Sequence, residues 1–325
     1  LSLLRPNFVL IGKEKEVGEL EVFLTSGQDI AQGTILVGKA AMSLQDTIFS
    51  VWSGKGYDVS EVRSAQMHLT HAKTYFSHAT SELTLLAKES TVFGSYDVGT
   101  IEQELTEAIG VIDKAQALNK IFENIIPTQG ERKYLVLFQN NMELRPTGGF
   151  IGSFAILGFK DARLSEFTVY DVYDADGQLK GHVEPPMPIR KYLSQVNWFL
   201  RDANFDPDFT RSGEKTAWFL EKELGIRVDG VMAFDVNFAK LLLDATGEVY
   251  LPDYKETVSA ENVFEKTQSY SQEHFFPGSK EKKNFLGALV KEVIVRIGNG
   301  DFSSNLLIIA LEKGLKEKHV LFTFF

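Results

Sequence analysis

The sequence predicts a two-part α/β protein: an N-terminal antiparallel helical bundle followed by a layered α/β sandwich with a mixed sheet. Three observations carry this. Apolar residues recur at helical spacing from about Gln28 to Ile126; the break Pro127-Thr128-Gln129-Gly130 ends that pattern; and from residue 131 onward strand-like apolar runs interleave with helical ones. The domains expected are therefore a helical bundle or stalk over residues 1–127 and an α/β domain over 128–325, the latter cut short at its C-terminus. With 325 residues, 44% of them hydrophobic and 12% aromatic, the chain has ample material for packed cores.

The clearest helix runs through Val62, Ala65, Leu69, Ala72, Phe76, Ala79, Leu83 and Leu86, which alternate steps of three and four, with Ser60 as its expected N-cap. Ile30, Val37, Ala41, Leu44, Ile48 and Val51 mark a helix before it, and Ile101, Leu105, Ala108, Ile112, Ala115 and Leu118 one after it. Short Gly-rich breaks at Ser53–Tyr57 and Phe93–Gly99 favour an up-down-up bundle. A structural spacer is the reading that the seam supports. His68, His71 and His78 lie here, and with no Asp or Glu evident to complete a ligand set they read as solvated or interhelical.

Beyond the break, Tyr134–Phe138 is a continuous apolar run suited to a strand buried on both faces. Phe150–Phe159 and Leu164–Val172 flank the turn Lys160-Asp161-Ala162-Arg163 and predict a hairpin. A helix is expected at about Gly213–Leu224, a strand at Gly230–Phe234, a helix at Val236–Ala245, a strand at Glu248–Leu251 and a helix at about Lys282–Ile297, with a last strand-like run from Val320 to Phe325.

A net charge of -10 and a pI near 5.2 argue against a nucleic-acid partner, which needs a basic face. The absence of cysteine excludes disulfides and thiolate zinc sites, and suits an exported protein. No apolar run spans a bilayer, yet the chain starts at Leu1 rather than Met, so an excised fragment with an upstream membrane anchor is the expectation. Walker, Gly-x-Ser-x-Gly, His-Glu-x-x-His and GxGxxG signatures are all missing.

Two loop segments carry candidate chemistry. The first, Gln139 to Phe150 (QNNMELRPTGGF), joins two strands at a sheet edge where ligands collect, and holds Asn140, Asn141, Glu143 and Arg145 before Gly148-Gly149. Arg145 either meets a phosphate or carboxylate, or pairs with Glu143 or caps a helix while the glycines shape a bulge. The second, Asn197 to Arg211, groups Asn197, Arg201, Asp202, Asp206, Asp208 and Arg211 among aromatics. Its carboxylates suit Mg²⁺ or Ca²⁺ and its arginines an anion; alternatively its Asp and Arg pair with one another, and Asp208 or Thr210 caps the next helix. Asp171 and Asp174 stand at the end of the third strand and extend the possible cation site, while Asp176-Gly177 reads as a turn.

The run from Asn197 to Pro252, with Leu224-Gly225-Ile226-Arg227-Val228-Asp229-Gly230-Val231, Phe234-Asp235 and Leu243-Asp244-Ala245-Thr246-Gly247-Glu248-Val249, resembles the middle of the LytR-CpsA-Psr domain. Closer still, ELRPTGGFIGSF and RDANFDPDF are signature phrases of the bacterial DUF4012 domain family, whose members usually carry an N-terminal membrane helix. The first resemblance implies Mg²⁺-dependent transfer of lipid-pyrophosphate-linked glycans to the cell wall. By position it assigns catalytic roles to Arg145 and Asp174; the loop clusters themselves add expected ligand contacts from Asn140, Asn141, Glu143, Asn197, Arg201 and Arg211, and Mg²⁺ ligation by Asp171, Asp174, Asp202, Asp206 and Asp208. The pattern also departs from that family. Tyr173 stands where it has an arginine, and its later arginine positions fall in Ser271-Gln272-Glu273-His274 and near Lys283-Asn284. The expectation is an extracytoplasmic, membrane-anchored envelope protein that binds an anionic lipid-linked glycan or wall polymer, with a non-catalytic scaffold or adhesion module as the alternative.

Overall fold

Three long helices lead the chain: α1 (Glu14–Trp52), α2 (Val59–Glu89) and α3 (Val98–Ile125). The computed structural model describes residues 13–90, 98–272 and 285–325. Most of the expected break at 93–99, and the positions Glu273, His274, Lys283 and Asn284, lie outside the described residues. All eight apolar positions read from the spacing of α2 are buried. Six of them, from Ala65 to Leu83, meet Ala40 of α1 and Leu105 and Ile112 of α3 in one core, so the 3.6-residue period does produce a bundle seam. The cap differs from expectation. Asp58, in extended backbone, accepts the N–H of Ser60, so the serine already belongs to the first turn.

The chain forms two compact units: the segment up to Thr47 with Asp58–Asn124, and Ile48–Tyr57 with Ile125–Phe325. The end of α1 belongs to the second, where Trp52 meets Phe159 and Phe167 edge-on at 6.5 and 6.4 Å.

The second unit is built on a five-stranded sheet of order β3-β2-β1-β4-β7, comprising β1 (Glu131–Asn140), β2 (Phe150–Lys160), β3 (Arg163–Asp171), β4 (Gly230–Asp235) and β7 (Val320–Phe324). β1 and β4 run parallel, and every other pairing is antiparallel, which makes the sheet mixed. From Tyr134 to Asn140 every residue of β1 is buried, as its unbroken apolar run predicts. On one face Leu135, Leu137, Ile156 and Val231 pack with Val172 and Ala175 of α4 (Val172–Asp176) and with Phe219 and Leu220 of α6 (Phe209–Leu224). Between these two helices comes the short α5 (Met187–Leu193). Phe234 alternates with Ala233 onto the other face and joins a core formed by α7 (Val236–Thr246), α8 (Val263–Gln272), α9 (Phe285–Asn299) and α10 (Ser304–Lys316).

The strand expected at Glu248–Leu251 forms, but outside the main sheet. As β5 (Val249–Leu251) it pairs with β6 (Glu256–Val258) in a separate ribbon, because Pro252 ends it after three residues. Gln139 pairs with Asp235, so β1 and β4 finish at one sheet edge, where β2 begins and β3 ends. Both candidate loop segments depart from that edge.

Candidate functional site

The loop from Asn140 to Phe150 closes on itself first. Phe150 N–H donates to Glu143 O at 2.9 Å. Asn140 Oδ1 accepts the N–H of Met142 at 3.1 Å, and its Nδ2 donates to Glu143 Oε1 at 3.3 Å. Gly148 and Gly149 have φ of +119° and +132°, and a Cβ would lie 2.4 Å from Gln139 Oε1 or 2.2 Å from Asn140 O respectively. Only glycine fits at either position.

The loop is then sewn to the second segment. Thr147 Oγ1 donates to Asn204 O at 3.0 Å, and Asn204 Nδ2 donates to Gly149 O at 2.8 Å. Arg145 Nε donates to Asp202 Oδ1 at 3.0 Å, and its Nη2 lies 2.9 Å from the same oxygen in an ion pair. The two stretches that stand out in the sequence are therefore one structural element. Arg145 is paired, but its partner is Asp202 rather than Glu143, and its side chain is only 12% exposed.

Around this pair lies a buried charge cluster. Arg201 Nη1 donates to Asp176 Oδ2 at 2.6 Å, its Nε lies 3.6 Å from Asp202 Oδ2, and its guanidinium sits 4.5 Å from the Phe199 ring and 5.4 Å from that of Tyr173. Glu223 of α6 accepts the Leu200 N–H at 3.3 Å. Asp176, Asp202 and Glu223 are 5%, 2% and 6% exposed, too deep for solvent to stabilise three anions. Burial pushes Asp176 up to about 6, against the pull of Arg201. Burial, then the neighbouring Asp176, pushes Glu223 up to about 8. At neutral pH Glu223 is therefore protonated, and two arginines balance two aspartates. Asp176 is a member of this cluster and not merely the turn residue expected from Asp176-Gly177.

The Mg²⁺ implied by the resemblance needs converging oxygen donors. Asp202 is engaged by the two arginines, Asp171 caps α4 through the N–H of Tyr173, and Asp208 caps α6 through that of Thr210. Asp206 accepts the N–H of Asp208, and Asp174 is exposed on α4. Among the described residues these five aspartates form no three-ligand group, so they do not fit the ion. Asn197 and Asn141 are also held. Asn197 Oδ1 accepts the Val183 N–H at 2.8 Å, and Asn141 Nδ2 donates at 3.4 Å to Asp235, which also pairs with His319 at 2.7 Å.

Access for a ligand lies on the outer side of the second segment. A cleft of ≈ 560 Å³ is walled by Trp198 and Trp218, with Pro186, Pro188, Phe205 and Pro207 adding apolar surface. Lys215 Nζ stands 5.1 Å from the Trp198 ring and 4.8 Å from that of Trp218, and both rings attract the ammonium into the cleft. Arg211, Glu214, Lys215 and Trp218 share one face of α6 through i, i+3, i+4 and i+7 spacing. The Arg211 side chain is 73% exposed and only 3.8 Å from Asp206, its loosely held partner. Trp198 is braced by its indole N–H, which donates to Asp202 O at 3.0 Å, so the buried cluster supports the cleft wall. Reading the helix from Gly213 hid this face. Starting it at Phe209 aligns Arg211 with Trp218.

The fold defines a layered α/β domain on a mixed sheet, with both stitched segments at one edge. Residues 129–271 match a family described as a protein of unknown function (DUF4012), so the chain carries a DUF4012 domain. That match includes the buried cluster and the aromatic cleft. No curated protein matches the chain in sequence.

Proposed function

We propose that the α/β domain is a glycan-binding module of the bacterial cell envelope that takes an anionic saccharide in the Trp198–Trp218 cleft. The observation that carries this is Lys215 held between two tryptophan rings, with Arg211 open at the rim. Pyranose C–H faces pack on aromatic faces, Asp206 and Glu214 accept sugar hydroxyls, and the two cations meet a phosphate or carboxylate. A lipid-pyrophosphate-linked glycan satisfies both requirements. Placement outside the cytoplasmic membrane, on an N-terminal anchor, belongs to the same proposal and rests on the family resemblance and the lack of cysteine.

Glycan transfer has less support than binding. Arg145 and Arg201 are balanced by Asp202 and Asp176, and the aspartates do not form a Mg²⁺ set. The test is titration with phosphate-bearing wall glycan fragments, followed by tryptophan fluorescence. Saturable quenching is expected, weakened about tenfold in Trp218→Ala, since a stacked ring is worth about 1 kcal/mol beyond its area, and about tenfold in Lys215→Met, which loses a charge-assisted bond to the anion. Dephosphorylated fragments should bind more weakly. Equal binding by both variants would remove the cleft from the proposal.

A further inference from the structure

We propose that the first unit carries a transition-metal site made by Asp29 of α1 with His78 and Glu82 of α2, which takes Zn²⁺ and staples the two helices. His78 Nδ1 lies 2.6 Å from Asp29 Oδ2, and its Nε2 lies 3.7 Å from Glu82 Oε1. One ligand atom from each of the three residues falls within 4.8 Å of the others. The sequence reading found no carboxylate to complete the surroundings of His78. The structure overturns that, because Asp29 comes from the neighbouring helix, 49 residues earlier.

The donor set is one that Zn²⁺ accepts at an open site: an imidazole nitrogen, two carboxylate oxygens and a fourth position for water. His78 and Glu82 are one turn apart on the same face of α2; the ring, which presents Nδ1 to Asp29 and Nε2 to Glu82, is exposed and turns to bring one nitrogen to an ion held by both carboxylates. Glu82 is also held from behind. Buried Ser26 of α1 shares its hydroxyl proton between Val22 O and Glu82 Oε2, each at 3.0 Å, leaving Oε1 turned toward His78. Asp29 and Glu82 are 14% and 24% exposed and His78 is 57% exposed, which gives a supported pair of carboxylates and a solvent side for the remaining ligand. Without metal, the same three residues make a charged hydrogen-bonded triad, because Asp29 and then Glu82 hold the His78 proton more firmly than usual. Zn²⁺ replaces that proton: the imidazole nitrogen releases H⁺ and donates its lone pair to the ion, with no change in oxidation state.

The experiment uses the full chain after chelator treatment, titrated with zinc chloride by calorimetry and followed by thermal unfolding of the helical signal. One equivalent of zinc and a raised midpoint are expected. Asp29→Asn and His78→Gln should each weaken binding by about a hundredfold while keeping the helical spectrum, and Ser26→Ala by about tenfold. His71→Gln should bind as the unaltered chain does. No saturable binding, unaltered binding in both ligand variants, or equal loss in His71→Gln would overturn the assignment.

Discussion

Replacing Arg145 by methionine is expected to destabilise the α/β unit by about 3–5 kcal/mol, because it strands a carboxylate in the interior. Asp202 is 2% exposed, and its strongest partner is the Arg145 guanidinium at 2.9 and 3.0 Å. After the substitution only Arg201 Nε, 3.6 Å away, faces it. The loop also loses one of the bonds that join it to the second segment, while Thr147 and Asn204 keep theirs. Urea unfolding followed by tryptophan fluorescence measures this directly, since Trp198 donates to the Asp202 carbonyl. Adding Asp202→Asn to Arg145→Met should recover much of the loss, because the buried charge then disappears with its partner. An unchanged urea midpoint in Arg145→Met, accompanied by lost glycan binding, would instead make Arg145 a ligand-binding group.

This pairing marks where sequence reading stops. The seam of α2 and the buried run of β1 were legible because their periods are local: each residue's face follows from its neighbours three, four or two positions away. Gly148 and Gly149 were legible for the same reason, as the turn imposes its own φ. The Arg145–Asp202 bond spans 57 residues, and nothing local distinguishes Asp202 from Asp206 or Asp208. Only the fold shows that Asp202 turns inward while the other two serve the approach to α6. Glu223 posed the same difficulty. On an amphipathic helix it reads as a solvated position, yet the 3-10 turn Leu200–Asp202 covers it. The cleft lay hidden because two of its parts, Trp198 and the α6 face, come from elements whose juxtaposition requires the crossover between β3 and β4.

Glu223→Gln should stabilise the protein at alkaline pH and leave it unchanged in mild acid. The folded chain holds the Glu223 proton up to about 8, against an ordinary value of 4.5. A raised carboxyl means that between those values the folded state binds more protons than the unfolded state, so stability falls as pH rises through that window. Below about 4.5 the group is protonated in both states and contributes nothing. Asp176, raised to about 6, adds a loss that begins near 3.8 and is complete sooner. Glutamine copies the neutral acid and keeps an oxygen for the Leu200 N–H, so it removes only the Glu223 part. The variant should match the unaltered chain near pH 4.5 and exceed it by about 3 kcal/mol at pH 9, less than the full displacement would give because the carboxyl is not wholly cut off from water, which screens part of the anion's cost. Urea midpoints across this range make the comparison. A stability gap independent of pH would mean that Glu223 is ionised and matched by Arg201, leaving Asp176 short of its partner. A gap that opens with pH would confirm the neutral acid, so that Arg145 and Arg201 are fully balanced by Asp202 and Asp176. Attraction for an anion would then fall to Arg211 and Lys215 at the cleft.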